Sequence, residues 1–304
     1  MKPVSHLLQA VFFVNDLERS AAAYARLLGI GPWDHFHWKP PLAFDFENRG
    51  KPVEAYERLA FAGVGPTELE LIQHVEGGSF YRDYMKEHGE GILQLDFASD
   101  DVGADRRALE AKGFVCVQSG RFGDTGAYAI LDTEPLHVLW EAARMADDFG
   151  VGPDKVGTPP TGTTPVVPIR AVTEIGIVTP DTDACAKAYA SILGISNWRS
   201  SRTEEHGTYR GESVSVKSKT NTTDLDGLKF ALVEPASKAG FLAESLATRG
   251  PGVRYLGATV DDLGAAVEQL ASAGVELVQE EKGDQAVAYL WHPDLAVHWK
   301  LSVA

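Results

Sequence analysis

The sequence predicts an α+β protein of four βαβββ modules, arranged as two domains of like construction. Three observations carry this. The first is an internal repeat: "VFFVNDLERSAAAYARLLGI" from Val11 returns as "IGIVTPDTDACAKAYASILGI" from Ile175, with Asp16 matched by Asp181, Tyr24 by Tyr189 and Gly29 by Gly194. The second is that "DDVGADRRALEAKGF" from Asp100 returns as "DDLGAAVEQLASAGV" from Asp261, each with one glycine near its end, Gly113 and Gly274. An offset of roughly 160–165 residues held through both pairs marks a duplication. The third is a rhythm within each half, where a β-rich alternating run leads into a helical pattern and more strand candidates follow.

Element by element, Leu8–Val14 alternates as a strand should, and Asp16 opens a helix that runs to Gly29. Aspartate suits the opening because its carboxylate accepts from unpaired amides, and glycine suits the close because it tolerates the left-handed conformation. Strands are expected near Leu42–Phe46, Tyr56–Ala62 and Glu68–Gln73. A short helix from Tyr81 joins the modules. The second module repeats the order, with a strand at Ile92–Ala98, a helix at Val102–Lys112, and strands near Phe114–Gln118, Ala127–Leu131 and Val138–Ala142. Residues 147–167, rich in Gly, Pro and Thr, read as a linker between a first domain at 1–146 and a second at 168–304.

Composition narrows the class. A chain of 304 residues with 44% hydrophobic and 23% charged residues has enough apolar material for two globular cores. Its formal net charge of −15 argues against nucleic acid and anionic membranes as partners, since both require a basic face. No run approaches the ~20 apolar residues of a membrane span. The opening "MKPVSHLLQA" has neither a long apolar core nor a small-residue cleavage site, so a cytoplasmic location is expected. Cys116 and Cys185 are the two cysteines, both in apolar patterns; reduced, packed thiols are expected, with a disulfide as the alternative. The expected partner is a small molecule, bound by a monomer or a homodimer.

The paired modules, "VNDLERSAAAYARLLGI" after a first strand, "ELELIQ" closing the first module and "DDVGADRRALEAKGF" in the second resemble the vicinal oxygen chelate superfamily. That group includes glyoxalase I, methylmalonyl-CoA epimerase, extradiol dioxygenases and the fosfomycin and bleomycin resistance proteins. The resemblance spans nearly all of the chain outside the linker. It implies that two modules curl into an incomplete barrel and aim four side chains at one divalent metal. On this sequence those positions fall on Gln9, Glu70, Gln94 and Glu141. Strand parity agrees, because Gln9 shares a face with Val11 and Phe13, Glu70 with Glu68 and Ile72, Gln94 with Asp96, and Glu141 with His137 and Leu139.

The family's usual set includes one or two histidines, and none stands at these four positions. Two carboxylates and two amides make an all-oxygen set, which favours Mn²⁺, Mg²⁺ or Ca²⁺ over zinc or iron. An alternative is a cluster that satisfies itself by hydrogen bonds and holds no metal. Without a cation or a base nearby, converging carboxylates should keep a proton, which is also how a general acid or base is prepared. Asp96 stands out, since the second copy has Gly257 there and an inward aspartate is costly unless used or paired. It is read either as the base or as a structural aspartate near a strand end.

In the second domain the four positions are Glu174, Ala231, Tyr255 and Lys300. Alanine cannot ligate and lysine brings its own charge, so this half reads as a metal-free copy with a Glu174–Lys300 ion pair, or alternatively as a separate Glu–Tyr–Lys site. Candidate substrate contacts are Trp33, His35, His37 and Trp38 in "GPWDHFHWKPPLAF", and Arg121 and Tyr128 in "SGRFGDTGAY". Together these features point to lyase, isomerase or epimerase chemistry on a small oxygen-bearing molecule, with a carboxylate of Asp96, Glu141 or Glu70 moving a proton. A non-catalytic binding or resistance protein is the alternative. Ring-cleaving dioxygenase is disfavoured, because the resemblance implies a two-histidine iron site for that reaction.

Overall fold

The computed structural model describes residues 2–157, 164–283 and 285–303. Two sheets organise it, an open one of eleven strands and a closed barrel of eight. At the centre of the first, Gln9–Phe13 runs parallel to Thr67–Gly77 and antiparallel to Gly91–Ala98, which is in turn parallel to Leu139–Arg144. The second sheet repeats this quartet with Glu174–Val178, Leu228–Pro235, Gly252–Val260 and His298–Val303. The barrel closes where residues 207–209 pair with Gln279–Glu281. The first sheet stays open, its outer edges occupied by Lys155–Gly157 against Trp33–Trp38 and by Lys51–Pro52 against Ala43–Asn48.

Most expected elements are present, with three differences. The first helix is α-helical only over Leu17–Ala23 and continues as a π-helical turn at Tyr24–Leu28, whereas its copy Thr182–Leu193 is α-helical throughout. Both are capped as expected, by Asp16 and Asp181 accepting backbone amides, and both stop at a left-handed glycine, Gly29 (φ 67°) and Gly194 (φ 75°). The aromatic run Trp33–Trp38 is a strand of the first sheet. Within the expected linker, Lys155–Gly157 adds an edge strand, while residues 158–163 lie outside the described residues.

Alternation along the strands separates two environments. Outward side chains such as Phe12, Leu69, Leu95 and Trp140 join helix residues in a core that continues into the second domain through Ile175, Tyr189, Phe230 and Trp299. The domains therefore share one core. Its polar links repeat the duplication: Tyr24 Oη donates to the Leu295 carbonyl at 2.8 Å, and Tyr189 Oη donates to the Leu136 carbonyl at 3.0 Å. Each helix thus docks on the 3₁₀ turn that precedes the last strand of the other domain. Inward side chains line the hollow of each sheet. Both cysteines are free and buried, and no helix among the described residues is long and apolar enough to cross a membrane.

Candidate active site

Register alone brings the expected residues of the first domain together. Gln9 lies opposite Asp96 and beside Glu68, Val11 separates Glu70 from Gln94, and Glu141 lies opposite Asp96 on the other side. Their side chains face the hollow. Gln94 is the hub, its Nε2 donating to Asp96 Oδ1 and to Glu141 Oε2, both at 2.9 Å. Gln9 Nε2 donates to Glu68 Oε2 at 2.6 Å.

No cationic side chain pairs with Glu70, Asp96 or Glu141 among the described residues, so burial governs their protonation. It pushes Asp96 up to about 8 against the stabilising bond from Gln94. Glu70 and Glu141 lie well above the usual carboxylate range, through burial first and then the charge of Asp96. Glu68 is raised as well, again by burial. At neutral pH this cluster holds protons that exposed carboxylates would have lost.

The site borders a cavity of about 30 Å³, lined by Gln9, Glu70 and Glu141 at its polar end and otherwise mainly by aromatic and aliphatic side chains. Asp96 is 0% exposed and does not line it. The carboxyls that reach the cavity are Glu70 and Glu141, with Asp96 behind them.

Of the six expected substrate contacts, Trp38 and Tyr128 line the cavity. The other four do not. Trp33 is in the shared core, with Nε1 donating to the Ile30 carbonyl. His35 is buried on the helix side, 3.8 Å from Glu18. His37 faces outward beside Tyr56 and Asp154. Arg121 is exposed beside Asp45. The reason is parity: Phe36 and Trp38 point inward, which turns residues 33, 35 and 37 the other way, and Phe122 inward turns Arg121 outward. Sequence reading missed Leu59, Phe61, Tyr81, Phe122, Ala143, Met145 and Phe149, which complete the wall. Alternation could have flagged Phe61 and Phe122. Phe149 folds back from beyond the last strand to meet Phe36 and Phe122, and nothing local signals that.

The donor types suit a hard cation, and two buried acceptors, Gln94 Oε1 and Asp96 Oδ2, have no hydrogen-bond partner among the described residues. The hydrogen bonds already in place count against an ion there. The Gln94 amide N–H groups stand between Asp96 and Glu141, and among the described residues no three His, Cys, Asp or Glu side chains are grouped to hold one ion. No chemical step is therefore assigned to a metal.

At the matching points of the second domain, Glu174 Oε1 accepts from Tyr255 Oη at 2.6 Å, and Glu174 Oε2 pairs with Lys300 at 3.2 Å and Lys229 at 3.1 Å. Burial pushes Glu174 up, but the two lysine charges reverse this and leave it below the ordinary range. Two glycines make room. A Cβ on Gly176 would stand 2.0 Å from the Tyr255 ring, and one on Gly257 would stand 2.7 Å from Glu174 Cβ. Lys229, which occupies the place of Glu68, was not singled out from the sequence.

Comparison with known proteins agrees with this duplicated architecture. The family model described as glyoxalase/bleomycin resistance protein/dioxygenase superfamily matches residues 8–130 and 173–289. Among solved structures, a triple mutant of 4-hydroxymandelate synthase from Streptomyces coelicolor aligns with a TM-score of 0.63 at 17% identity, covering 99% of this chain and 93% of that one. A xylose isomerase-like TIM barrel/4-hydroxyphenylpyruvate dioxygenase fusion protein aligns with a TM-score of 0.50 at 13% identity, covering 100% of this chain and 50% of that one. At such identities the similarity is one of fold. None of the curated protein sequences matches the chain. With both halves matched by one family model, the chain belongs to the glyoxalase/bleomycin resistance protein/dioxygenase superfamily.

Proposed function

We propose that the first domain catalyses proton transfer at a carbon next to a carbonyl, in a reaction of isomerase, epimerase or lyase type. The substrate is a small oxygen-bearing molecule with an apolar or aromatic body. The observation that carries this is the group of buried carboxyls with raised pKa at the polar end of an aromatic-walled cavity. Groups tuned toward neutrality can both take and return a proton.

Glu141 is the base in this reading, since it lines the cavity and Gln94 fixes its carboxylate. In its ionised form Glu141 takes the substrate C–H proton, leaving an enolate. Glu70, held protonated by burial, and Gln9 donate hydrogen bonds to the enolate oxygen. Return of the proton from Glu141 to a neighbouring carbon gives isomerisation, and delivery of a proton to the other face by the protonated Glu70 gives epimerisation. Departure of a β-substituent gives elimination. Asp96 is a positioning residue, bound to the same Gln94 amide, and once ionised its charge raises the pKa of Glu141. A cavity of about 30 Å³ holds little more than one water, so substrate entry requires lining side chains to move aside.

Solvent deuterium exchange tests the reading. Small ketones, α-hydroxy ketones and acyl thioesters with an aromatic or alkyl body are incubated with the protein in D₂O. At least one should exchange its α-proton, and Glu141→Gln should slow that exchange by roughly 10²–10⁴-fold. Exchange that survives both Glu141→Gln and Glu70→Gln would contradict it. The aromatic wall also suits a sequestering protein, and tight binding of such a molecule with no exchange would favour that reading.

A further inference from the structure

The hollow of the second domain is much larger, about 400 Å³ against about 30 Å³ in the first, and falls in the range of small-molecule sites. Its lining differs in kind. Ser201 and Thr203 on one strand and Ser218, Thr220 and Thr222 on its neighbour present hydroxyls at alternate positions. Of these, Thr203 and Ser218 bond to each other at 3.0 Å. On another wall Lys229 and Lys300 share the single carboxylate of Glu174, and the charge of Lys300 is also felt by Glu281. The third lining lysine, Lys217, is neutralised by Glu204 at 3.1 Å. Glu205 and Glu281 lie on strands across the barrel from Glu174, and Gln279 donates to Glu281.

We propose that this barrel is a second binding site, independent of the first-domain reaction, for a small polyhydroxylated carboxylate of the sugar-acid type. The ligand's carboxylate meets Lys229 and Lys300. Its hydroxyls meet the Ser/Thr wall, whose groups both donate and accept, and donate to Glu205 and Glu281, which as carboxylates accept only. An apolar acid would strand these polar groups without partners, and a neutral sugar would offer the remaining ammonium N–H groups of Lys229 and Lys300 no charged acceptor.

The test is isothermal titration calorimetry of the full chain with D-gluconate, D-glucuronate and D-galacturonate, with D-glucose and hexanoate as controls. At least one sugar acid should bind saturably and at least about 10-fold more tightly than either control. Lys300→Met should weaken that binding by about 10-fold or more, and Thr220→Val by roughly 3–10-fold, while Glu141→Gln leaves it unchanged. Thr220→Val leaves the Glu174 ion pairs intact, so it decides the matter even where Lys300→Met fails to fold. Absence of saturable binding by all three acids, equal binding of hexanoate or glucose, or binding unaffected by Thr220→Val would overturn the proposal.

Discussion

Gln9, Glu68, Gln94, Asp96 and Glu141 of the first domain occupy the register positions of Glu174, Lys229, Tyr255, Gly257 and Lys300 in the second. One backbone framework therefore carries two opposite electrostatic solutions. In the second domain a buried glutamate meets two ammoniums and a phenol, and its pKa falls. In the first, Asp96 and Glu141 share the amide of Gln94, no cationic side chain among the described residues accompanies them or Glu70, and the pKa values of all three rise. The exchange was coordinated: Val11 becomes Gly176 where Gln94 becomes the bulkier Tyr255, and Asp96 becomes Gly257 where Gln9 becomes Glu174. The difference teaches that a duplicated polar core can be made quiet by pairing its charges, or reactive by leaving them to protonation.

The largest expected break in this symmetry is kinetic. Glu141→Gln should lower turnover by roughly 10²–10⁴-fold, whereas Lys300→Met at the matching point should leave turnover within about 3-fold, as steady-state rates on an exchanging substrate would reveal. Asp96→Asn should have a smaller effect, about 10-fold. It should also move the rising limb of the pH–rate profile to lower pH, since removing the Asp96 charge lets Glu141 ionise more readily. An unshifted limb would assign Asp96 a merely structural role.

Stability should break the other way. Lys300→Met removes one of two cations from a buried carboxylate and should cost about 1–3 kcal/mol, read from the urea midpoint at fixed slope. Asp96→Asn should instead stabilise. The folded-state pKa of about 8 lies above the 3.8 of a free aspartate, so the native state retains a proton that the unfolded chain releases, and stability falls as pH rises between those values. Replacing Asp96 should therefore raise the melting temperature by roughly 2–4 °C at pH 8 and leave it nearly unchanged at pH 4. Smallest of all, Tyr24→Phe and Tyr189→Phe remove symmetry-related hydrogen bonds and should each cost about 1 kcal/mol. Elemental analysis of protein purified without chelator sharpens the comparison further. Any stoichiometric ion should be Mn, Mg or Ca and should depend on Glu70 and Glu141, while zinc or iron would contradict the all-oxygen donor set.

Much of this was legible in the sequence, because the duplication aligned Gln9 with Glu174 and Glu141 with Lys300, and a period of two fixed which neighbours share a face. What remained hidden depended on the third dimension. Parity groups Trp33 with His35 and His37, but whether that group faces the hollow or the helices depends on where the strand sits in the sheet. Depth along a strand is equally hidden, so Asp96 and Glu141 looked alike although only Glu141 reaches the cavity. Phe149 arrives from beyond the last strand, and the 400 Å³ hollow of the second domain exists because its sheet closes through residues 207–209, a pairing between distant segments.

The central claim is that the first-domain carboxyls store protons at neutral pH while their counterpart Glu174 does not. A ¹³C-carboxyl NMR titration of the full chain, assigned with Asp96→Asn, Glu141→Gln and Glu174→Gln, measures this directly. The account predicts that Asp96 titrates near 8, that Glu141 titrates well above the ordinary range, and that Glu174 remains ionised below its ordinary range. Titration of Asp96 and Glu141 together at ordinary carboxylate values, near pH 4, would contradict it.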